Sequence, residues 1–319
     1  MLDRETDPLP ALPLVESPFF DELLPKLGLS AEAERLARAL HMDGVASIDL
    51  DLGDIDAMRD RIAGLIAERL TKRHGKAYDA WQHAPEAGAE DVRALAAPAK
   101  AMALLEEVYR RPPVPISTIN TRTGTEQGLH ADGLFRATVP RRYYVTLWIP
   151  LEDIDEENGP IIAYPGSHRL PDYFYVDMGL TATEQSTLLE YYDQGYDRLF
   201  RRLVEAGGYT PRLYTPKAGE ALIWVHGLIH GGMPILDPSR TRYVQINGIT
   251  FQGCLYLTEL NSDPYIGKVW LRDVVDVRTG AALPQIYNGR SLSVDEIERL
   301  KPDGIDALAR SFAQSIERG

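Results

Sequence analysis

Residues 124–136 read GTEQGLHADGLFR and contain the pair of side chains from which the rest of the chain can be interpreted. His130 and Asp132 are two positions apart, so on a β-strand both side chains would project from the same face. An imidazole and a carboxylate held side by side supply two ligands of the 2-His-1-carboxylate site of non-haem Fe(II) oxygenases. The pair predicts a metal site if the fold adds a second histidine.

A segment about a hundred residues further along offers that histidine. Residues 226–232 read HGLIHGG, so the third ligand could be His226 or His230. We favour His230, because it is predicted to end an apolar strand that begins at Ala221, and because the two glycines after it let the backbone pass close to a ligand. His226 would then orient a ligand through a hydrogen bond. The alternative is that both histidines are ordinary core or turn residues.

Two arginines after His230 could hold an acidic cosubstrate. A facial triad leaves three positions on iron, and 2-oxoglutarate can occupy two of them through its keto oxygen and the adjacent carboxylate. Its distal carboxylate then needs a cation, and a guanidinium can bind it through two parallel hydrogen bonds. Arg240 and Arg242 have the same strand parity, so alternation does not choose between them. Solvated arginines at a strand end are the alternative.

Composition limits the remaining classes of function. The 319 residues are 44% hydrophobic and 25% charged, a balance typical of a globular protein with a sizeable core. A net charge of −13 argues against a nucleic-acid or anionic-membrane surface. Cys254 is the single cysteine, and the sequence shows neither a signal peptide nor a membrane-spanning apolar stretch. We therefore expect a cytoplasmic protein that acts on a small molecule.

The order of predicted elements indicates the fold class. Residues 1–29 hold five prolines and are predicted to form an extended arm that packs on a single domain of residues 30–319. Ser30 and Gly44 are typical of the two ends of a first helix. The other elements expected before Pro112 are a strand at 45–50, a helix at 55–71, a polar loop at 72–91 and a further helix. The strands expected after it are 116–121, 143–149, 161–164, 221–225 and 242–251. This order predicts a mainly β sandwich or barrel with helices packed outside it.

A helical insertion is predicted at about residues 169–214. Residues 181–184 (TATE) fit a capping box, and apolar residues continue after them at helical spacing. Residues 293–296 (SVDE) fit a second capping box, and residues 305–312 are predicted to hold a last helix. Five tyrosines of the insertion could line a lid over the site, although a tyrosine stripe on a helix more often packs in a core: Tyr173, Tyr175, Tyr191, Tyr192 and Tyr196.

Four blocks of sequence carry a resemblance to a known family. The chain resembles the phytanoyl-CoA dioxygenase family from about residue 30 to residue 251, and the blocks occur in the order of the family. They are residues 124–132, residues 145–151 (VTLWIPL), residues 157–160 (ENGP) with 165–168 (PGSH), and residues 217–220 (KAGE) leading to the HGG at 230.

The resemblance implies the fold, the cofactors and the iron ligands. The family members are Fe(II)- and 2-oxoglutarate-dependent oxygenases built on a double-stranded β-helix, which is a cupin-like jelly-roll barrel. By resemblance, His130, Asp132 and His230 bind iron, and O2 is the second cosubstrate. Related halogenases have a small residue in place of the carboxylate, so the presence of Asp132 implies hydroxylation or a related C–H oxidation that releases succinate and carbon dioxide.

The resemblance also implies residues for the cosubstrate. It favours Arg242 over Arg240 for the distal carboxylate of 2-oxoglutarate, because an apolar strand follows Arg242 directly. Trp148 matches a family position beside 2-oxoglutarate, and Ser117 matches another. The chain has Gly232 where the family often has serine, so one hydrogen bond to the cosubstrate is expected to be missing or replaced.

Arg136 is the candidate for binding substrate. If the strand of the His-Asp pair continues, Arg136 shares the inward face and could bind a carboxylate or phosphate of the substrate. If that strand ends at Gly133, Arg136 is solvated. Arg141 and Arg142 add local positive charge to an acidic protein, which favours an anionic substrate.

Two other functions are compatible with the sequence. The first is a jelly-roll metalloenzyme that does not use 2-oxoglutarate, which would not need Arg242. The second is a non-catalytic ligand-binding barrel, which would not bind Fe(II) tightly.

Overall fold

The computed structural model describes residues 5–67, 71–73, 76–81, 89–173, 175–178 and 196–301. The helices are α1 (Phe20–Leu27), α2 (Ala31–Asp43), α3 (Ile55–Ile66), α4 (Glu90–Ala96), α5 (Ala99–Tyr109), α6 (Asp197–Ala206) and α7 (Val294–Leu300). The strands are β1 (Val45–Asp49), β2 (Thr71–Arg73), β3 (Lys76–Trp81), β4 (Pro113–Thr121), β5 (Ala137–Val139), β6 (Tyr144–Pro150), β7 (Ile161–Ala163), β8 (Arg212–Tyr214), β9 (Glu220–Val225), β10 (His230–Gly232), β11 (Val244–Phe251), β12 (Leu255–Asp263), β13 (Lys268–Leu271), β14 (Ile286–Tyr287) and β15 (Arg290–Ser291).

The largest sheet separates two apolar cores. It has seven strands in the order β1-β9-β6-β11-β4-β3-β2, and the paired strands are antiparallel. Successive side chains of a strand point to opposite faces, so Leu147 and Ile149 of β6 lie on one face and Thr146 and Trp148 on the other. Leu147 and Ile149 pack with buried residues of the helices, whereas Trp148 packs with Trp224 of β9 in a separate core.

A smaller sheet closes the second core. Its order is β10-β7-β8, and Ile161 and Ala163 of β7 belong to the same apolar cluster as Trp148. A third sheet, β13-β12-β5, joins residues 255–271 to the segment that follows Asp132. The arrangement is mainly antiparallel β with helices outside, which agrees with the predicted fold class.

The helices of the first hundred residues cover the outer face of the large sheet. Helix α2 begins after Ser30, whose hydroxyl accepts a hydrogen bond from the amide of Ala33 (3.3 Å), and it ends at Gly44 with a φ of 78°. Both caps confirm the prediction for this helix. Leu36 and Leu40 of α2 are buried in the same core as α5.

The extended conformation predicted for residues 1–29 is wrong over two stretches. Residues Leu14–Glu16 form a 3-10 helix, and α1 follows with Pro25 inside its last turn. Phe20, Leu23 and Leu24 are buried at helical spacing, and this burial favours the helix in spite of the proline. The segment does pack on the body of the protein, as predicted. Its separation from a single domain of residues 30–319 stays a prediction.

The polar segment 72–91 is also not the simple loop that was predicted. Strands β2 and β3 form a hairpin in which Lys72 pairs with Ala77, and β3 pairs with β4 through Tyr78 and Thr121. The pairing of β3 with β4 joins residues far apart in sequence, so the local composition gave no sign of it. The rest of the predicted loop up to residue 88 lies outside the described residues.

The predicted insertion contains α6, and Tyr196 directly before this helix is buried against Phe200, as expected for a tyrosine that packs in a core. Ser293 and Glu296 form the predicted capping box of α7. Among the helices of the described chain, none is both long and apolar enough to cross a membrane. Three predictions lie outside the described residues: the capping box at 181–184, the tyrosines at 191 and 192, and the helix at 305–312.

Candidate metal centre

Backbone pairing brings the two candidate histidine ligands together. The amide of His130 donates to the carbonyl of His230, and the amide of His230 donates to the carbonyl of His130, both at 2.9 Å. This isolated antiparallel bridge sets the two imidazole rings 4.2 Å apart, centroid to centroid. Asp132 follows at the start of a 3-10 helix, Asp132–Leu134. One ligand atom from each of the three residues lies within 4.8 Å of the others.

The hydrogen bonds of these residues fix which atoms face one another. Nδ1 of His130 is 2.9 Å from the carbonyl oxygen of Gly128, and Nδ1 of His230 is 3.0 Å from that of Leu228. The Nε2 atoms therefore face Asp132, and they lie 3.6 Å (His130) and 4.0 Å (His230) from its Oδ1. Two imidazole nitrogens and one carboxylate oxygen therefore point at one another. The Nδ1 atom of each histidine is already hydrogen-bonded to a backbone carbonyl, as is typical of metal-binding histidines.

The second oxygen of the carboxylate is held by the large sheet. Oδ2 of Asp132 accepts hydrogen bonds from the hydroxyl of Thr146 and from the indole nitrogen of Trp224 (2.9 Å). These donors come from β6 and β9 and leave Oδ1 free to bind a cation. Neither residue was singled out as a site residue from the sequence. Thr146 shares its strand face with Trp148, and this parity was the available signal.

The protonation states suit a cation. Burial lowers the pKa of His130 to about 4, so its imidazole is neutral at pH 7. Burial would raise the pKa of Asp132, but the neighbouring His230 and His130, with the hydrogen bonds from Thr146 and Trp224, hold that pKa below its ordinary value. A neutral imidazole and an ionised carboxylate are the forms that bind a divalent metal.

The local backbone differs from the predicted strand. His130 and Asp132 do not share a strand face, because Ala131 is the last extended residue and the chain turns into the 3-10 helix at Asp132. A Cβ at Gly133 would collide with the ring of His226, and the amide of Gly133 donates to the carbonyl of His226 (3.0 Å). The turn that aims Asp132 at the histidines therefore depends on a residue more than ninety positions away.

The setting of His230 also differs from the prediction. This histidine begins β10 in the small sheet and does not extend β9, which ends at Val225. The expected close approach of the glycines is present: a Cβ at Gly231 would lie 3.0 Å from the carbonyl oxygen of Gln127. A Cβ at Gly232 would lie 3.3 Å from the backbone nitrogen of Gln127.

His226 does not orient a ligand through its ring, so that prediction is wrong. The residue is 2% exposed, and neither ring nitrogen has a hydrogen-bond partner in the described part of the chain. Burial lowers its pKa to about 4. Its side chain lines a cavity next to the segment that holds Asp132, together with Asp172, Glu259 and Tyr173.

The two candidate arginines occupy different environments. Arg240 is half-exposed and forms ion pairs with Asp155 (3.0 Å) and Glu157 (3.6 Å). Arg242 is 1% exposed, and its Nη1 donates to the carbonyl of Gly159. No carboxylate of the described residues forms an ion pair with Arg242, although the more distant Glu126 acts on it electrostatically. Burial lowers the pKa of Arg242 to about 10, so it carries a positive charge at pH 7.

The remaining cofactor candidates lie on the inner face of the large sheet. Trp148 is fully buried, and the guanidinium carbon of Arg242 is 5.8 Å from the centre of its ring. Ser117 pairs with Gly248 of β11, and a Cβ at Gly248 would lie 2.8 Å from both Oγ of Ser117 and the hydroxyl of Tyr144. Glycine at that position therefore leaves room for two polar side chains to meet.

Arg136 does not reach the site in the predicted way, because the strand of the His-Asp pair does not continue to it. The 3-10 helix separates them, and Arg136 lies one residue before β5. The residue is nevertheless half-buried, and its Nη1 is buried without a hydrogen-bond partner among the residues that the structure describes. Tyr144 and Arg272 are close enough for the charge of Arg136 to act on their pKa values.

Comparison with known proteins agrees with this geometry. A family model described as phytanoyl-CoA dioxygenase (PhyH) matches residues 40–241. Among solved structures, the chain is similar to the non-heme alpha ketoglutarate dependent epimerase SnoN from nogalamycin biosynthesis, with a TM-score of 0.55 and 18% identity over 83% of this chain and 97% of that chain. It is also similar to EctD from S. alaskensis with bound Fe, with a TM-score of 0.53 and 16% identity over 81% of this chain and 87% of that chain.

A third similar structure is the non-heme alpha ketoglutarate dependent carbocyclase SnoK from nogalamycin biosynthesis, with a TM-score of 0.52 and 15% identity over 72% of this chain and 87% of that chain. A search of curated proteins finds no match. The family model confirms the resemblance drawn from the sequence blocks, and the solved structures confirm the jelly-roll fold class.

Proposed function

The chain belongs to the phytanoyl-CoA dioxygenase family, and we propose that it hydroxylates an unactivated C–H bond of a small molecule. Enzymes of this family use Fe(II) as cofactor and 2-oxoglutarate and O2 as cosubstrates. Family membership argues against a non-catalytic barrel and against a metalloenzyme without 2-oxoglutarate. The single cysteine, which is buried, supports a reducing compartment such as the cytoplasm.

The proposal depends on one observation, the convergence of His130, Asp132 and His230 to within 4.8 Å. In the described parts of the chain, this is the one group of three His, Cys, Asp or Glu side chains with ligand atoms so close together. We infer that these residues bind Fe(II) through two Nε2 atoms and Oδ1 of the carboxylate. Thr146 and Trp224 would keep the carboxylate oriented by holding its other oxygen.

The environment of Arg242 supports a role in binding 2-oxoglutarate. A buried guanidinium without an ion-paired carboxylate is unfavourable unless a ligand supplies the charge. We infer that Arg242 binds the distal carboxylate of 2-oxoglutarate, and that Trp148 and Ser117 are further residues that contact this cosubstrate. Arg240 is already paired on the surface, which makes it the poorer candidate.

The bound Fe(II) and 2-oxoglutarate supply the chemistry of the reaction, and the protein positions them and excludes water from the site. Fe(II) with 2-oxoglutarate and O2 supplies the oxidation of a C–H bond, and succinate and carbon dioxide are released. His130 and His230 are buried, and the apolar cluster around Trp148 excludes water from the inner side. Asp132 supplies a protein ligand where halogenases have room for a halide, which supports hydroxylation.

The test is turnover under isotopically labelled oxygen. Full-length protein would be incubated with Fe(II), 2-oxoglutarate, ¹⁸O2 and a panel of small acidic molecules, with Asp132→Ala as the inactive variant. Asp21→Ala, at an exposed position of α1, is the matched control.

We expect succinate formation that depends on 2-oxoglutarate, and one labelled oxygen in the organic product. Succinate with an unlabelled epimer or ring-closed product would replace hydroxylation by another reaction at a C–H bond. Absence of succinate with every compound, or unchanged succinate from Asp132→Ala, would contradict the proposal.

A further inference from the structure

The third sheet places two arginines close to each other and to Tyr144 of β6. Arg136 lies one residue before β5, and Arg272 lies one residue after β13. The amide of Arg272 donates to the carbonyl of Tyr256 (2.8 Å), and Tyr256 pairs with Thr138 of β5. Directly paired residues of an antiparallel sheet share a face, so Arg272 and Thr138 project from the same side. Arg136 has the same parity as Thr138.

Among the residues that the structure describes, neither arginine side chain has an acidic partner. Within the described residues, no hydrogen bond or ion pair is formed by the guanidinium of Arg136 or by that of Arg272, and both residues are half-buried. Burial and the nearby charge of Arg136 together lower the pKa of Arg272 to about 9. Two like charges close together and partly removed from water destabilise a folded protein unless an anion joins them.

The pair is connected to the metal candidates through two side chains. The hydroxyl of Thr146 donates to Oδ2 of Asp132 and lies 3.4 Å from the hydroxyl of Tyr144. Burial raises the pKa of Tyr144 to about 12, and the charges of Arg136 and Arg272 act on the same hydroxyl in the opposite direction. The hydroxyl of Tyr144 is therefore neutral, and it is close both to the arginine pair and to Thr146, the hydrogen-bond partner of Asp132.

We propose that Arg136 and Arg272 together bind an oxyanion, a carboxylate or a phosphate carried by the substrate, and so hold the substrate beside the metal. That the anion is part of a substrate rests on the proposed function, but binding of an anion by the two arginines does not require the metal. 2-Oxoglutarate is not the expected occupant, because one of its carboxylates binds iron and Arg242 accounts for the other. Binding of an anion by the two guanidiniums explains why an acidic protein has two half-buried cations that no carboxylate of the described residues neutralises.

The first experiment measures anion binding without turnover. The melting temperature of the full chain would be followed against inorganic phosphate, acetate and neutral acetamide at constant ionic strength. The variants are Arg136→Gln and Arg272→Gln, with Arg278→Gln, at an exposed ion pair with Asp276, as the matched control. We expect a saturable rise for one or both oxyanions in the wild type and the control, none for acetamide, and binding about tenfold weaker or more in the two variants. The oxyanion that binds more tightly identifies the anionic group of the substrate as a phosphate or a carboxylate. No saturable rise in the wild type, or an equal rise in Arg272→Gln, would overturn the proposal.

The second experiment separates a binding role from a structural one. Without added anion, Arg272→Met should melt at the same temperature as the wild type or higher, because a desolvated charge next to Arg136 has been removed. A structural arginine would give a clear decrease instead, and that result would count against the proposal. Arg272→Gln should still form the Fe(II)–2-oxoglutarate complex. If the Fe(II)–2-oxoglutarate complex forms but phosphate and acetate do not bind, this inference is wrong and the proposed function stands. If phosphate or acetate binds but the Fe(II)–2-oxoglutarate complex does not form, the proposed function is wrong and the anion site stands.

Discussion

The two oxygens of the Asp132 carboxylate are used differently. Oδ2 is held by Thr146 and Trp224, and Oδ1 faces the Nε2 atoms of His130 and His230. Donors from two different strands prevent rotation of the carboxylate, so its free oxygen stays aimed at one point. Precision at the proposed iron site thus comes from the inner face of the large sheet, and the backbone bridge between the histidines adds to it.

Removing the hydroxyl of Thr146 tests this arrangement. Thr146→Val keeps the shape of the side chain but leaves Asp132 with one donor, so we expect Fe(II) affinity to fall about 10- to 100-fold. Thr146→Ser keeps the hydroxyl and should stay near the wild type. Affinity would be measured by anaerobic calorimetric titration with Fe(II). Equal affinities for the valine variant and the wild type would show that Asp132 does not depend on this hydrogen bond.

Arg242 and Arg240 provide a matched pair for the cosubstrate. Arg242→Met removes the buried cation, and the affinity for 2-oxoglutarate should fall by roughly 30-fold or more, as when one partner of a buried charge pair is lost. Arg240→Met removes surface ion pairs and should change it by less than about twofold. The measurement is the dissociation constant of 2-oxoglutarate with Fe(II) present and O2 excluded. A larger loss in the Arg240 variant would reverse the assignment.

Helix α6 contacts the backbone that leads to His130. Asp197 in its first turn accepts a hydrogen bond from the amide of Leu129 (2.8 Å) and pairs with Arg201 of the same helix (2.7 Å). A Cβ at Gly128 would lie 2.6 Å from the carboxylate of Asp197, so the helix contacts the backbone directly before His130. The inserted element therefore helps to position a proposed iron ligand.

Asp197→Ala should loosen this segment. We expect faster hydrogen exchange at the amide of Leu129 and Fe(II) affinity reduced several-fold, because the partner of that amide is lost. Arg201→Gln removes the surface ion pair without touching Leu129 and is the control. Native-state exchange followed by mass spectrometry measures the effect. Unchanged exchange near Leu129 in Asp197→Ala would mean that the helix does not hold the ligand segment.

At the scale of elements, local chemistry was predictable and distant pairing was not. The caps of α2 and α7 were predicted because Ser30 and Ser293 act on amides three residues away. Strands β2 and β3 were missed, since the pairing of β3 with β4 joins distant segments. The turn at Gly133 was missed for the same reason, as it depends on contact with His226. The three proposed iron ligands were nevertheless found, because their residue types and order carried the family resemblance.

At the scale of the whole molecule, a buried charge network joins the N-terminal segment to the cavity next to the segment that holds Asp132. Arg142 bonds to Glu16 (2.6 Å) and Asp172 (3.3 Å) and donates to the carbonyl of His168 (2.7 Å). Glu259 lines the same cavity, and no hydrogen bond to it is found within the described residues. Burial, helped by the charge of Asp172, raises the pKa of Glu259 to about 8. The cavity thus contains a carboxyl group that is protonated at pH 7.

This pKa predicts the direction of a pH effect on stability. In the folded state Glu259 keeps its proton up to about pH 8, whereas in the unfolded chain it loses the proton near its ordinary pKa of 4.5. The folded state therefore binds more protons between these values, and its stability falls as pH rises, by at most about 1.4 kcal/mol per pH unit.

The variant Glu259→Gln should remove this dependence. Relative to the wild type, it should become progressively more stable between pH 5 and pH 8, with the difference constant above about pH 8.5. Urea unfolding at several pH values measures the difference, and Glu298→Gln, exposed on α7, controls for the loss of a carboxylate. A stability difference that shrinks or stays flat as pH rises would show that Glu259 ionises normally in the folded protein.

The most direct test of the account is anaerobic titration of the full-length protein with Fe(II) and then 2-oxoglutarate, followed by visible absorption. We predict the weak charge-transfer band of an Fe(II)–2-oxoglutarate chelate at one equivalent of metal, lost in Asp132→Ala and in His230→Ala. If no band forms in the wild type, or if it persists in both variants, iron is not bound by His130, Asp132 and His230.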